Sequence, residues 1–249
     1  MHRAAVLILA ALIGIVGIGF LAANRKPMPP SSTVQASESL RVPQEMVYVP
    51  GGECIIGTND LDADEDVRPA HRVFVPSFSI DRTEVTNAEY KRIVLSHTYP
   101  PNEDALPVTN VTYDEAAAYA QAVGKRLPTE DEWEKAARGT DGRRYPWGDV
   151  WDAKRVAPRA RTAGIAPPIR MVKRPGQCAI GTSRVRQVGY VPSGVSPYGC
   201  VDMAGNAWEW VQGFYHGNPE QRILRGGAVG YGECDCRTYA YAVEGRAAT

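Results

Sequence analysis

The chain has 249 residues, with 28 basic and 28 acidic side chains, so its formal charge at pH 7 is zero. This balance excludes the overall basic field by which many proteins attract nucleic acid, and the ordinary composition excludes a collagen-like or disordered chain. We therefore expect a globular protein with no nucleic-acid partner.

An uncharged apolar run covers residues 4–23 and has basic residues on both sides. About 20 apolar residues are enough for a helix to cross the hydrocarbon core of a bilayer. The run ends in Leu21-Ala22-Ala23, which is a poor cleavage site for signal peptidase. Residues 1–24 are therefore predicted to be a transmembrane helix that anchors the chain in a membrane, with a cleaved signal peptide as the alternative.

Residues 25–44 are rich in Pro and Ser and poor in large apolar side chains, which is typical of a flexible linker. Residues 45–249 are enough for one domain with a sizeable core. The expected plan is a membrane-anchored globular domain that is extracytoplasmic, in the periplasm or at the cell surface.

Within this domain, three segments carry the capping box, in which a Thr and a Glu three residues later satisfy the free amides at a helix start. They are Thr86–Glu89, Thr112–Glu115 and Thr129–Glu132. Strand-like runs cover 46–50, 71–80 and 222–228, and most of 140–249 shows little periodicity. The sequence predicts an α+β domain with few helices and much ordered loop.

Two charged stretches have both a structural and a functional interpretation. Residues 60–66 alternate acidic side chains but lack the Gly and Glu of a calcium-binding EF-hand loop, so an acidic surface turn is expected. The segment 153–187 contains nine Lys and Arg residues and no Asp or Glu. It is either a solvated basic loop or a platform for an anionic partner, such as a polyanionic glycan or phospholipid head groups.

Several strings occur here in one order, among them MVYVPGGECIIGTND, GKRLPTEDEWEKAARG and SPYGCVDMAGNAWEWV. In order and wording they resemble the formylglycine-generating enzyme, or sulfatase-modifying factor, family over about residues 45–245. The resemblance implies a variant C-type-lectin-like fold with small sheets and calcium-pinned loops. It fixes the fold more firmly than the reaction, because related domains serve several activities.

The resemblance also implies a calcium site in the loop GNAWEW, whose oxygen ligands suit Ca²⁺. Carried over, the calcium ligands are Gly205, Asn206, Ala207 and Glu209. The final Trp of the loop, Trp210, is expected to line a substrate groove together with Tyr231 and Ala228.

In the resembled family, two cysteines lie four and nine residues after a Gly-Gly pair and bind one Cu(I), at which oxygen oxidises a substrate cysteine. Soft thiolates favour Cu(I). Counting from Gly227, these positions hold Tyr231 and Cys236, so one cysteine is missing. Ala228 replaces a serine of the pocket, and Glu244 stands where an arginine is common.

Cys234 is a candidate replacement, since residues two apart in a strand face the same side and would both reach one copper ion. Three alternatives stay open for Cys234 and Cys236. They form a Cu(I) pair, or one of them forms a disulfide (Cys236 with Cys200 or Cys178, or Cys234 with Cys236), or they are buried thiols.

Two functions therefore remain open. The first is a copper- and oxygen-dependent oxidoreductase with Cys236 and, in a displaced position, Cys234 as catalytic residues. The second is a non-catalytic lectin-like module that binds a peptide, protein or glycan through the groove and the basic segment 153–187. The sequence also lacks the family's closing strand, so we expect either that this strand is supplied elsewhere or that one sheet edge is open.

Overall fold

The computed structural model describes residues 4–5, 9–10, 45–157, 185–229 and 233–245. Three α-helices and nine short strands lie in these ranges. The helices are α1 (Asn87–Ile93), α2 (Tyr113–Ala122) and α3 (Glu130–Arg138). The strands are β1 (Ala4–Ala5), β2 (Leu9–Ala10), β3 (Met46–Val49), β4 (Gly52–Ile56), β5 (His71–Val75), β6 (Phe78–Asp81), β7 (Trp208–Trp210), β8 (Gln221–Arg225) and β9 (Tyr241–Gly245).

The predicted membrane anchor, residues 1–24, falls mainly outside the described residues, as does the linker 25–44. The four residues described in the anchor segment form β1 and β2. Within the described ranges, no helix is both long and apolar enough to span a bilayer. The anchor therefore stays a prediction.

The three capping boxes predicted from the sequence are all present. At each helix start the Thr hydroxyl accepts the backbone N–H of the Glu three residues later, and that Glu accepts the Thr backbone N–H. The helix α3 ends at Gly139, whose φ of 77° is a conformation that favours glycine. The local sequence thus determines where these helices begin.

The strands form small sheets rather than one large one. The first has the order β1-β7-β8-β9, the second β2-β6-β3, and the third is the hairpin β4-β5. In the first sheet β8 pairs antiparallel with both neighbours, and β9 lies at its edge. Few helices and small sheets are the α+β architecture expected from the sequence.

Strand β8 separates two apolar clusters because successive side chains of a strand point to opposite faces. Leu224 packs with Trp210 and with residues of α1 and α2, such as Tyr119. Ile223 packs with Trp133 of α3 and with strands β3 to β6. The two faces of this sheet therefore contact different apolar clusters, one that contains Trp210 and one that contains Trp133.

The acidic turn 60–66 is largely exposed, as predicted, but it also holds the C-terminal segment. Asp62 accepts a hydrogen bond of 2.8 Å from Arg237, and Asp60 accepts one of 2.5 Å from the hydroxyl of Tyr239. Asp66 accepts from the hydroxyl of Tyr241. Three carboxylates of one turn thus bind three alternate residues of a segment about 175 positions away.

Candidate functional site

The Gly226-Gly227 turn places the end of β8 beside the cysteine segment. Gly227 has a φ of 77°, and a Cβ atom there would lie 2.8 Å from the carbonyl oxygen of Asp235 and 3.2 Å from Sγ of Cys236. Any side chain at this position would displace the cysteine segment. The Gly-Gly pair is therefore what allows Cys236 to pack against the turn.

The structure gives the two cysteines different states. Cys234 is disulfide-bonded, whereas Cys236 is free and buried, like Cys54 and Cys200. The alternative that one of the two cysteines forms a disulfide is confirmed by Cys234. A disulfide of Cys236 with Cys200, Cys178 or Cys234 is wrong, because Cys236 is free. The Cu(I) pair of Cys234 and Cys236 stays a prediction that would require the disulfide to be reduced.

The thiol of Cys236 is held in its neutral form. Its residue is 2% exposed, and burial, together with the nearby charge of Asp235, raises the pKa of this thiol to about 12. The thiolate is the form of cysteine that attacks substrates and binds metals. At neutral pH this side chain is therefore a small apolar group in the described structure.

The predicted calcium loop lies beside this turn and is fully buried. Glu209 is inaccessible to solvent, and its Oε2 accepts a hydrogen bond of 2.6 Å from Nε1 of Trp133. Its Oε1 is buried without a hydrogen-bond partner in the described structure. Asn206 donates to Glu84 at 3.0 Å, and its Oδ1 accepts the backbone N–H of Arg186 at 2.8 Å.

Three carboxyl groups are buried around this loop. Burial, reinforced by the neighbouring Asp202, raises the pKa of Glu209 to about 8. Burial and the charges of Asp202 and Glu209 raise the pKa of Glu84, and burial also raises that of Asp202. A cluster of this kind disfavours negative charge unless a cation compensates it.

The four predicted calcium ligands are close together, and they fit a calcium ion in part. The oxygens of Asn206 are used, since its carbonyl accepts the N–H of Val229 at 2.9 Å and its amide oxygen binds Arg186. Among the described residues, no group of three or more His, Cys, Asp or Glu side chains is arranged to hold a metal ion. The free Oε1 of Glu209 is the atom that favours a hard cation here.

Two of the three predicted groove residues, Trp210 and Ala228, are buried. Trp210 is 3% exposed, and its Nε1 donates to the carbonyl of Val111 at 3.0 Å. Ala228 belongs to the same apolar cluster and is also buried. Both side chains complete the core over β7 and β8, and their place beside a substrate groove stays a prediction. Tyr231 lies outside the described residues.

A surface next to Trp210 was missed by the sequence analysis. The guanidinium of Arg222 lies 3.9 Å from the ring centre of Tyr113 and 4.0 Å from that of Phe214, and Tyr113 meets Trp210 edge-on. We call Tyr113, Arg222 and Phe214 the aromatic–arginine stack. Arg222 pairs in register with Glu244 of β9. The residues are far apart in sequence, so no local pattern could have identified the stack.

Most of the basic segment 153–187 lies outside the described residues. Its described start forms a short 3-10 helix, Ala153–Arg155, in which the Asp152 side chain accepts the Lys154 N–H at 2.9 Å. Arg155 donates to the carbonyl of Ser193 at 2.8 Å. The platform for an anionic partner stays a prediction.

The chain is similar to known proteins over most of its length. The Sulfatase-modifying factor enzyme 1-like domain matches residues 31–248. The chain is 32% identical over 230 residues to the formylglycine-generating enzyme of Thermomonospora curvata, covering 68% of this chain and 73% of that protein. It is 28% identical over 234 residues to the inactive C-alpha-formylglycine-generating enzyme 2 of Mus musculus, covering 73% of each.

A third relative is the hercynine oxygenase of Mycolicibacterium smegmatis, 32% identical over 208 residues that cover 66% of this chain and 44% of that protein. The chain thus spans less than half of this relative, and the same holds for other curated relatives that it matches. Among solved structures, PvdO from Pseudomonas aeruginosa superposes with a TM-score of 0.61 at 22% identity, covering 82% of this chain and 89% of that one. This likeness shows the shared fold.

Proposed function

This chain belongs to the sulfatase-modifying factor enzyme 1-like domain family, and from that membership we propose that it is a non-catalytic member that binds a peptide or glycan partner. Its relatives include a protein named as an enzyme and one named as inactive. Membership alone therefore leaves the reaction open, and the argument depends on the site.

The observation that carries the proposal is the state of Cys236. A soft-metal centre of two thiolates needs two reduced thiols that the metal can reach, since the metal itself deprotonates the thiols it binds. Here Cys236 is buried, and Cys234 is in a disulfide bond. Ala228, which stands where the resembled family has a pocket serine, is part of the apolar core. These features support a domain in which the residues at the family's reaction centre serve to pack the core.

The surface best suited to a partner is the aromatic–arginine stack. Phe214 is 43% exposed, and Arg222 and Tyr113 are half-buried, so part of each side chain is open to a ligand. One guanidinium nitrogen of Arg222 already donates to the carbonyl of Gly213 at 3.1 Å. Aromatic faces pack against sugar rings and peptide side chains, and a guanidinium adds directed hydrogen bonds. This stack supports the interpretation of the domain as a binding module.

The proposal is tested by an oxidation assay on the full chain. The protein, loaded with Cu(I) in the presence of oxygen, is incubated with cysteine-containing peptides, and thiol loss is followed by mass spectrometry. The Thermomonospora curvata enzyme serves as positive control and the Cys236→Ser variant as negative control. We expect the same peptide signal from the wild type and from Cys236→Ser. Turnover that disappears in Cys236→Ser would overturn the non-catalytic assignment.

The binding role has its own experiment. Wild type and the Arg222→Ala variant are compared on a glycan array and a peptide library, with Arg72→Ala, an exposed arginine on β5, as the matched control. We expect a set of ligands that Arg222→Ala loses and Arg72→Ala keeps. Identical ligand sets for all three proteins would remove the stack from the proposal.

An oxidoreductase is the second candidate, favoured by the 32% identity to a formylglycine-generating enzyme. It would require Cys234 to be released from its disulfide and Cys236 to become accessible, so that both thiolates bind Cu(I). The assay above distinguishes the two candidates if it is repeated with reduced protein.

We further propose a calcium ion at the buried loop, where its role is to stabilise the domain. The free Oε1 of Glu209 and the raised pKa values of Glu84 and Asp202 support a compensating cation there. Backbone carbonyls of Gly205 and Ala207 are the remaining candidate ligands. The corresponding stability measurement is given in the Discussion.

Finally, we propose that residues 1–24 anchor the domain in a membrane on the extracytoplasmic side. The uncharged run 4–23 supports this, and the basic segment 153–187 would then be near anionic head groups or glycans. Membrane fractionation after alkaline carbonate washing tests the anchor. Release of the full-length protein into the wash would contradict it.

A further inference from the structure

A cavity of about 390 Å³ lies on the face of β8 opposite to Trp210. Ile223 and Arg225 form part of its lining, whereas Leu224 between them packs in the cluster that contains Trp210. The other walls come from the first turns of α3, residues 66–71, and residues 214–216. The cavity is therefore separate from both the cysteine segment and the calcium loop.

Two of the carboxylates in the lining are already neutralised. Nη2 of Arg225 lies 2.9 Å from Glu130, and Nη1 lies 3.4 Å from Glu134. Glu134 is also bound by Arg138 at 2.6 Å and accepts the N–H of Gly57 at 2.7 Å. These side chains form an ion-pair network under the cavity and contribute little net charge to it.

Two further carboxylates, Asp66 and Asp131, line the cavity together with Arg68 and the imidazoles of His71 and His216. Asp66 accepts hydrogen bonds from Tyr215 and Tyr241, and although burial opposes ionisation, these bonds hold its pKa below the ordinary value. Nε2 of His216 also lies 3.3 Å from Asp66. Apart from the imidazoles, the lining beyond this ion-pair network holds two carboxylates and one guanidinium, so its fixed charges are negative on balance.

Aromatic rings form the remaining wall. The rings of Tyr215 and Tyr241 lie 5.6 Å apart, the imidazole of His216 meets Tyr215 edge-on at 4.1 Å, and Phe214 is 43% exposed. The electron-rich faces of aromatic rings attract cations, and the attraction adds to that of nearby carboxylates. A volume of about 390 Å³ is at the lower end for ligand pockets, which suits a side-chain-sized ligand.

We propose that this cavity binds an organic cation, a guanidinium or ammonium group, which is held by Asp131 and the aromatic wall. The group comes either from a free small molecule or from an Arg or Lys side chain of a peptide. The inference rests on the proposed binding role and goes beyond the aromatic–arginine stack, because it names a second site and a ligand class. Its test uses neither copper nor the Arg222→Ala variant, so each can fail without the other.

The experiment is calorimetric titration of the full chain with agmatine, with butylurea as a neutral analogue of similar shape, and with an arginine-containing peptide beside its citrulline counterpart. The key variant is Asp131→Asn. Its matched control is Asp114→Asn, because Asp114 is likewise the second residue of a capped helix, α2, but does not line the cavity. Thermal unfolding of both variants checks that they fold.

We expect agmatine to bind and butylurea not to bind. The affinity for agmatine should fall about tenfold in Asp131→Asn, stay unchanged in Asp114→Asn, and decrease with added salt. If the arginine-containing peptide binds at least tenfold more tightly than agmatine, the cation comes from a peptide side chain. If agmatine binds at least tenfold more tightly than the peptide, the cation is a free small molecule. Equal binding of agmatine and butylurea, equal affinity in both variants, or no binding of either cation would overturn the proposal.

Discussion

Glu209 combines two features that rarely occur together in one side chain. It is fully buried, and one of its carboxylate oxygens has no hydrogen-bond partner in the described structure. The other oxygen accepts a hydrogen bond from Trp133 of α3, so this residue joins β7 to the helix. The residue-scale properties of the domain can be tested most simply here.

The first expectation concerns pH. Because the folded pKa of Glu209, about 8, lies above its ordinary value, the folded state binds the proton more tightly than the unfolded state. The resulting stability is present at acid pH and is lost as the pH rises from about 4.5 to about 8, on the order of a few kcal/mol. Urea unfolding of metal-free protein across this range measures it.

In Glu209→Gln the slope should become shallower, though not flat, because Glu84 and Asp202 have pKa values shifted in the same direction. The exposed Glu220→Gln variant is the control and should follow the wild type. An unchanged slope in Glu209→Gln would mean that this carboxyl group does not titrate as described.

The second expectation concerns calcium. A cation that binds only the folded state raises the unfolding midpoint, by roughly 5 °C at saturating Ca²⁺ in a domain of this size. We expect this gain at pH 8 with Ca²⁺, a smaller one with Mg²⁺, and none in Glu209→Gln. Equal midpoints with Ca²⁺ and with chelator would remove the calcium site from the account.

At the scale of elements, α3 connects the parts of the domain. Lys135 is 1% exposed and donates to the carbonyls of Pro50, Gly52 and Val75 at 2.8, 3.0 and 3.3 Å. One ammonium group thus satisfies three backbone acceptors at one end of the β4-β5 hairpin. The helix holds this hairpin in place by its polar side chains as well as by its apolar face.

Lys135→Met should therefore lower the free energy of unfolding by about 3 kcal/mol, because three buried carbonyls lose their charged donor. Lys154→Met, at an exposed position, is the matched control and should change it by less than about 0.5 kcal/mol. Chemical denaturation of both variants gives the comparison. A loss below about 1 kcal/mol in Lys135→Met would contradict this expectation. It would mean that water reaches the three carbonyls and replaces the lysine.

The same helix shows what sequence alone can predict. Its start at Thr129, its end at Gly139 and the burial of Trp133 follow from the capping box, the glycine and the apolar spacing. The burial of Glu134 and Lys135 does not follow from these patterns, since both side chains bind backbone groups 60 to 85 residues away and Glu134 also lies 3.4 Å from the distant Arg225. Local patterns determine element boundaries, whereas polar burial depends on tertiary neighbours.

The site shows the same limit. The position of the Gly-Gly turn and its contact with Cys236 are consistent with the register counted from the sequence. The burial of Trp210 was not predictable, because a Trp of a groove wall and a Trp of the core have the same sequence pattern. The aromatic–arginine stack and the cavity beside α3 are assembled from distant segments and carry no motif.

At the scale of the whole molecule, the acidic turn 60–66 joins the beginning of the domain to its C-terminal segment. In the ion pair of Asp62 and Arg237, the side chain of Asp62 is 63% exposed, whereas that of Arg237 is only 8% exposed. A pair of this kind contributes more than an exposed one because the guanidinium is largely desolvated. The turn should therefore hold β9 at the edge of its sheet.

A double-mutant cycle of Asp62→Ala and Arg237→Ala should give a coupling free energy of about 1 kcal/mol, with faster amide exchange in Tyr241–Gly245 of both single variants. The matched cycle uses Glu53 and Arg72, whose side chains are 66% and 71% accessible and 3.6 Å apart, and should give a coupling near zero. Equal couplings in the two cycles would contradict a stabilising role for the turn.

The central claim is that Cys234 and Cys236 do not form a copper centre in this domain. The measurement that tests it most directly is a Cu(I) titration of the fully reduced chain, beside its Cys234→Ser and Cys236→Ser variants. The account predicts no stoichiometric site that depends on both cysteines, because Cys236 is buried and its Sγ is packed against Gly227. Tight one-to-one binding that is lost in both variants would contradict the account and establish Cys234 and Cys236 as a rearranged copper pair.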